Sequence, residues 1–179
     1  MKIYFVHEGK ENYPEVGAYR SFFDGRYECA EAHPKELDAL PDLSESICWM
    51  IMGFYPTRPK AKTLIHDYRS LSVGTAPYLK DKAKRFFNAT PDIRIFQNKE
   101  MADVMGFPAQ VPLVYLPMGV PDFVLKHTDS SIEKTDCDFC YIGVVSEERR
   151  SHLMFDSFIK RYGASKTFHV YGTPEVSLL

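Results

Sequence analysis

Two short apolar runs near the end of the chain, Phe139–Ile142 and Phe168–Tyr171, constrain its fold most. Each stops at a glycine, Gly143 and Gly172. About 25 residues of largely helix-compatible sequence separate them, a connection that joins parallel strands, whereas antiparallel neighbours need only a short turn. Ser146 is placed to cap a helix opening at Glu147, which puts Arg149 and Arg150 in its first turn. Free backbone N–H groups and the positive dipole end at such a helix start attract anions. A guanidinium grips phosphate oxygens in a two-pronged way. Glu147 and Glu148 share that turn, however, and acids there satisfy the dipole unaided and repel phosphate. The junction is therefore equally the ordinary strand-glycine-helix corner of any parallel α/β protein.

The preceding 120 residues repeat the strand-helix alternation. Lys2–Val6 is a β-branched and aromatic run suited to a buried parallel strand. Further strands are expected at Tyr27–Ala30, Ile47–Met52, Thr63–Asp67, Ile93–Gln97 and Val111–Leu116. Gly17–Phe23 is expected to start a helix after the polar loop that follows the first strand, and Pro34–Leu40 to form a short helix or turn. Ala76–Asn88 has helical spacing, with Tyr78, Leu79, Ala83, Phe86 and Phe87 expected inside and Lys80, Lys82, Lys84 and Arg85 outside. Asn98 caps a helix over Lys99–Met105 that ends at Gly106. Gly53–Lys62 holds two prolines and is a loop.

Two prolines around Gly119 close the last of these strands, and Asp122–Asp136 turns polar, as a linker does. The expected organisation is a Rossmann-like parallel sheet flanked by helices over 1–121, a linker over 122–136, and one βαβ unit over 137–179. That last piece, about 45 residues long, is too small to stand as a domain alone. At 179 residues, 45% apolar and 26% charged, the chain can bury a sizeable core.

A net charge of −2 gives no electrostatic footprint for nucleic acid, which is excluded as a partner. The first apolar segment is too short for a signal peptide, and no run is long enough to span a bilayer. Cys29, Cys48, Cys137 and Cys140 fit free thiols in a reducing compartment, hence the cytoplasm. Cys137 and Cys140 have metal-site spacing, but no second Cys or His pair accompanies them, so no metal is expected. The basic helix at Ala76–Asn88 reads as a solvated face, or alternatively as a peripheral contact with an anionic inner-membrane surface.

Ligands of open α/β sheets gather at the carboxyl ends of the strands. Gly17, Tyr19 and Arg20 are candidates after the first strand, and His66, Asp67, Tyr68, Arg69 and Ser70 cluster at another strand tip. A histidine transfers protons near neutral pH, and an adjacent carboxylate can orient or charge-stabilise its ring. Successive strand residues point to opposite faces, so contact between His66 and Asp67 does not follow.

Four stretches together carry a family resemblance: the Gly17 loop and helix, HDYRS at His66–Ser70, YLPMGVP at Tyr115–Pro121, and DFCYIGVVSEERR at Asp138–Arg150. In this order the chain resembles the N-terminal domain, linker and first βαβ unit of a GT-B-fold glycosyltransferase of the group 1 or family 4 type, and especially the CgeB-like branch. The resemblance implies metal-independent sugar transfer from a nucleotide-diphospho-sugar to a saccharide or lipid acceptor. It implies His66 near the transferred sugar and Gly17 in the loop facing the donor; Asp67 is the further catalytic candidate, and Tyr19, Arg69 and Gly119 are further binding candidates. Gly143, Arg149 and Arg150 would lie beside the diphosphate, offsetting the charge of the leaving group. No cofactor is implied. The family commonly has an arginine directly after the glycine of this strand, where Val144 stands here. Leu179 precedes the part of the second domain that would complete the donor site, so the chain is expected to be inactive alone, or one half of a split enzyme. The competing expectations are a non-catalytic α/β partner-binding domain and a hydrolase or nucleotide-modifying enzyme built on His66 and Asp67. No GxSxG elbow, P-loop or GxGxxG supports the latter.

Overall fold

The computed structural model of the protein describes residues 1–9, 13–51, 53–119, 137–143, 145–146 and 150–172. The chain divides into two compact units, Met1–Pro121 and Asp122–Leu179. The first carries β1 (Lys2–Val6), α1 (Pro14–Phe23), β2 (Glu28–Ala32), β3 (Ile47–Ile51), β4 (Thr63–Tyr68), α2 (Pro77–Phe87), β5 (Ile93–Phe96), α3 (Lys99–Met105) and β6 (Leu113–Tyr115). Two 3-10 turns, Pro34–Ala39 and Leu43–Glu45, connect β2 to β3.

The six strands form one sheet in the order β2-β1-β3-β4-β5-β6, and every neighbouring pair is parallel. The architecture is α/β and Rossmann-like in general form. From β1 the chain first moves one way to β2, then returns past β1 to β3 and continues the other way. The reversal leaves a topological switch point at the carboxyl ends of β1 and β3, where adjacent connections diverge and a crevice opens.

Strand alternation sorts the core onto two faces. Ile3, Phe5, Trp49, Ile51, Ile65 and Ile95 pack with Val16, Tyr19 and Phe23 of α1. Tyr4, Val6, Cys48, Met50 and Leu64 pack with Leu37 and Leu43 of the 3-10 turns and with Tyr55. Farther along the sheet, Tyr68 and Phe96 meet Met101 and Met105 of α3. Asn98 caps α3 as expected, its Oδ1 accepting the Met101 N–H at 2.8 Å, and Gly106 ends the helix at φ +60°.

Helix α2 corrects the expected inward face. Tyr78, Leu79, Phe86 and Phe87 are all exposed, whereas Asp81 is buried. The surface that α2 covers is the polar β4–α2 connection rather than an apolar layer. Asp81 Oδ1 accepts the Ser72 N–H at 3.1 Å, and Lys84 Nζ donates to Ser72 Oγ at 2.9 Å. Strand β2 is also displaced from the expected Tyr27–Ala30 to Glu28–Ala32.

In the second unit β7 (Phe139–Ile142) and β8 (Phe168–Tyr171) pair in parallel, with α4 (Ser151–Tyr162) between them. Phe139, Phe158 and Phe168 form its aromatic contact, with ring centroids 5.4 Å apart for Phe139–Phe158 and 4.8 Å for Phe158–Phe168. Among the described residues no helix is long and apolar enough to cross a membrane.

Candidate functional site

A cleft of about 480 Å³ in the first unit lies at the carboxyl ends of β1, β3 and β4, beside the switch point. Glu8 and Tyr13 reach it from the segment after β1, and Gly53 and Phe54 from the loop after β3. Ser70 to Val73 contribute the connection after β4, and Lys80, Ala83 and Lys84 the flank of α2. Its volume falls within the roughly 300–1,000 Å³ of small-molecule sites.

Each wall has a local cause. Gly53 sits at φ +155°, and a Cβ there would lie 2.6 Å from the Tyr55 ring, so this turn requires glycine. The Tyr55 hydroxyl donates to the Ile51 carbonyl at 3.0 Å, and the Tyr55 N–H donates to Asn88 Oδ1 at 2.8 Å. The loop after β3 is thereby tied to both its strand and the end of α2. The β4–α2 connection is held by the Asp81 and Lys84 bonds to Ser72, and Lys80 Nζ donates to the Val73 carbonyl at 2.9 Å. Burial lowers the pKa of Lys84, with Asp81, 3.9 Å away, acting in the opposite sense.

The sequence-predicted residues of this unit distribute as strand alternation demands. His66 and Asp67, only 2% and 1% exposed, point to opposite faces of β4. His66 Nδ1 lies 3.3 Å from the Tyr68 hydroxyl, and Nε2 has no hydrogen-bond partner among the described residues. Burial lowers the ring's pKa to about 4, and Arg94, its register neighbour on β5, adds to the effect together with Arg58. The ring is neutral at physiological pH.

On the other face, Asp67 Oδ2 accepts from the Tyr19 hydroxyl at 2.9 Å and from Trp49 Nε1 at 3.1 Å. Asp67 Oδ1 faces Arg69 at 3.7 Å, and Arg69 also donates to the Leu116 carbonyl at 3.3 Å. Burial raises the Asp67 pKa, and Arg69, Trp49 and Tyr19 oppose that rise. Tyr19, Asp67 and Arg69 are therefore brought together as one buried network. Of the His66–Ser70 cluster, only Ser70 lines the cleft.

Gly17 lies within α1, which opens at Pro14, rather than in the loop before the helix; it is exposed, as is Gly119 after β6. Arg20 pairs with Glu31 at 2.9 Å. In the second unit Gly143 takes φ +155° at the end of β7, and its N–H donates to the Tyr171 carbonyl at 3.0 Å. The described helix there begins at Ser151, so Arg150 is its N-cap residue, at φ +53°, rather than a member of its first turn. Ser146 bonds reciprocally with Ser151: its carbonyl accepts the Ser151 N–H at 3.2 Å and its N–H donates to Ser151 Oγ at 3.3 Å. Arg149 and Val144 lie outside the described residues. Cys137 and Cys140 are free thiols, and no group of three or more metal-ligating side chains occurs among the described residues.

Sequence reasoning missed Glu8, Tyr13, Phe54, Lys80 and Lys84 as cleft residues. The available signal was positional: all follow the carboxyl ends of central strands, and Lys80 and Lys84 are one helical turn apart on one side of α2. Comparison with family models, curated proteins and solved structures gave no match.

Proposed function

We propose that the first unit is the acceptor-side domain of a sugar-transferring enzyme, and that its cleft holds the acceptor. The carrying observation is the position of that cleft, at the carboxyl edge of an all-parallel sheet beside its switch point. Support also comes from the division near Pro121 and from the second βαβ unit, as expected of the start of a nucleotide-sugar-binding domain. On this reading a nucleotide-diphospho-sugar is the donor and a saccharide or lipid the acceptor. The resemblance assigns Gly143, Arg149 and Arg150 to the diphosphate.

Calorimetric titration of the full chain and of any longer form with UDP, GDP and their sugars tests the proposal. Binding that weakens about tenfold or more in the Arg149→Ala, Arg150→Ala double variant is expected. No binding, or binding indifferent to both substitutions, counts against it.

Full burial of His66 and Asp67 favours a second reading, in which the cleft binds its ligand and the domain performs no chemistry. Saccharide binding without any donor binding or transfer separates the two.

A further inference from the structure

The two ends of the cleft differ in chemistry. At the α2 end are two ammonium groups, Lys80 and Lys84. Lys84 is the more constrained: its side chain is only 15% exposed and Ser72 Oγ takes one of its protons. Asp81 forms an ion pair with it at 3.9 Å, beyond hydrogen-bond distance, while also accepting the Ser72 N–H. An ammonium carries three donors, and holding it away from water is costly unless an acceptor meets it. At the β1 end stand Glu8 and Tyr13, a carboxylate that accepts from hydroxyls and an aromatic ring with a polar tip. Between them Phe54, Leu71 and Val73 supply apolar surface.

We infer that the cleft takes an acidic saccharide, a sugar ring bearing a carboxylate or phosphate. The acid group meets Lys84 and Lys80, the ring lies on Phe54 and Val73, and the hydroxyls face Glu8 and Tyr13. A neutral sugar brings no anion to the two ammonium groups, and an inorganic anion leaves the apolar surface of Phe54, Leu71 and Val73 uncovered. This inference rests on the acceptor reading above and specifies its substrate class.

The experiment is calorimetric titration of the full chain at neutral pH with glucuronate, a hexose phosphate, glucose and inorganic phosphate, which separates carboxylated from phosphorylated sources. At least one acidic sugar is expected to bind about tenfold or more tighter than both glucose and inorganic phosphate. Lys84→Gln is expected to bring that sugar to the level of glucose. Lys80→Glu, at an exposed helix position, is expected to weaken acidic-sugar binding with the fold intact, as read from the circular dichroism spectrum. Equal binding of glucose, equal binding of inorganic phosphate, no binding of any sugar, or indifference of acidic-sugar binding in folded Lys80→Glu overturns the inference. Acidic-sugar binding without nucleotide-sugar binding overturns the transferase reading and leaves the cleft assignment standing. Nucleotide-sugar binding without preference for the acidic sugar does the reverse.

Discussion

Replacing His66 with glutamine gives a quantitative check on the interior of β4, because the ring is almost wholly buried and its pKa is lowered from 6.5 to about 4. A base held below its unfolded value contributes stability that is present above pH 6.5 and lost as pH falls toward 4, since the unfolded ring binds a proton that the folded ring refuses. Between about pH 7 and 4.5 this linkage removes about 2 kcal/mol, since each tenfold difference in proton affinity between the folded and unfolded ring corresponds to roughly 1.36 kcal/mol. Asp67, whose pKa burial raises, contributes with the opposite sign, so the wild type alone does not isolate the effect. The difference from His66→Gln does. Trp49 is the chain's single tryptophan and bonds directly to Asp67, so its fluorescence during urea unfolding reports on the first unit. The acid-induced loss should be about 2 kcal/mol smaller in His66→Gln. A difference below about 0.5 kcal/mol would mean that the ring is solvated or paired, refuting the burial argument.

Three further outcomes follow from the same interior. Gly53→Ala forces a side chain into a φ of +155° and against the Tyr55 ring, so it should destabilise by at least about 2 kcal/mol in the Trp49 assay; a neutral effect contradicts the turn geometry. Asp67→Ala leaves Arg69 buried without its counter-charge and two donors without an acceptor, and should cost about 3 kcal/mol, with a cost under about 1 kcal/mol contradicting the network. Phe86→Ser replaces a side chain 68% exposed on α2 and should change stability by no more than about 0.5 kcal/mol; a loss above about 2 kcal/mol would restore the inward face that periodicity suggests.

Strand positions were largely legible because buried parallel strands read as apolar runs, and β1, β3, β4, β5, β7 and β8 fall within a residue or so of the expected limits. The opposite orientation of His66 and Asp67 also follows from the two-residue period. The inward face of α2 was not legible. Periodicity assumes that a helix packs its apolar side on the core, whereas here Ser72 offers an N–H and a hydroxyl, and Asp81 and Lys84 turn inward to meet them. The same replacement of apolar by polar packing concealed the cleft, because Lys80 and Lys84 look like solvated lysines until the β4–α2 connection is placed beside them. At α4, Ser146 bonds Ser151 through its backbone N–H and carbonyl and the described helix begins at Ser151, while the expected start at Glu147 lies outside the described residues.

Mapping backbone amide shifts of the full chain during titration with the tightest-binding acidic saccharide tests the placement of the acceptor most directly. The expected result is a set of saturable shifts centred on Tyr13, Gly53–Phe54, Ser70–Val73 and Lys80–Lys84, absent in Lys84→Gln. Shifts confined to β7 and α4, or none at saturating ligand, would contradict it.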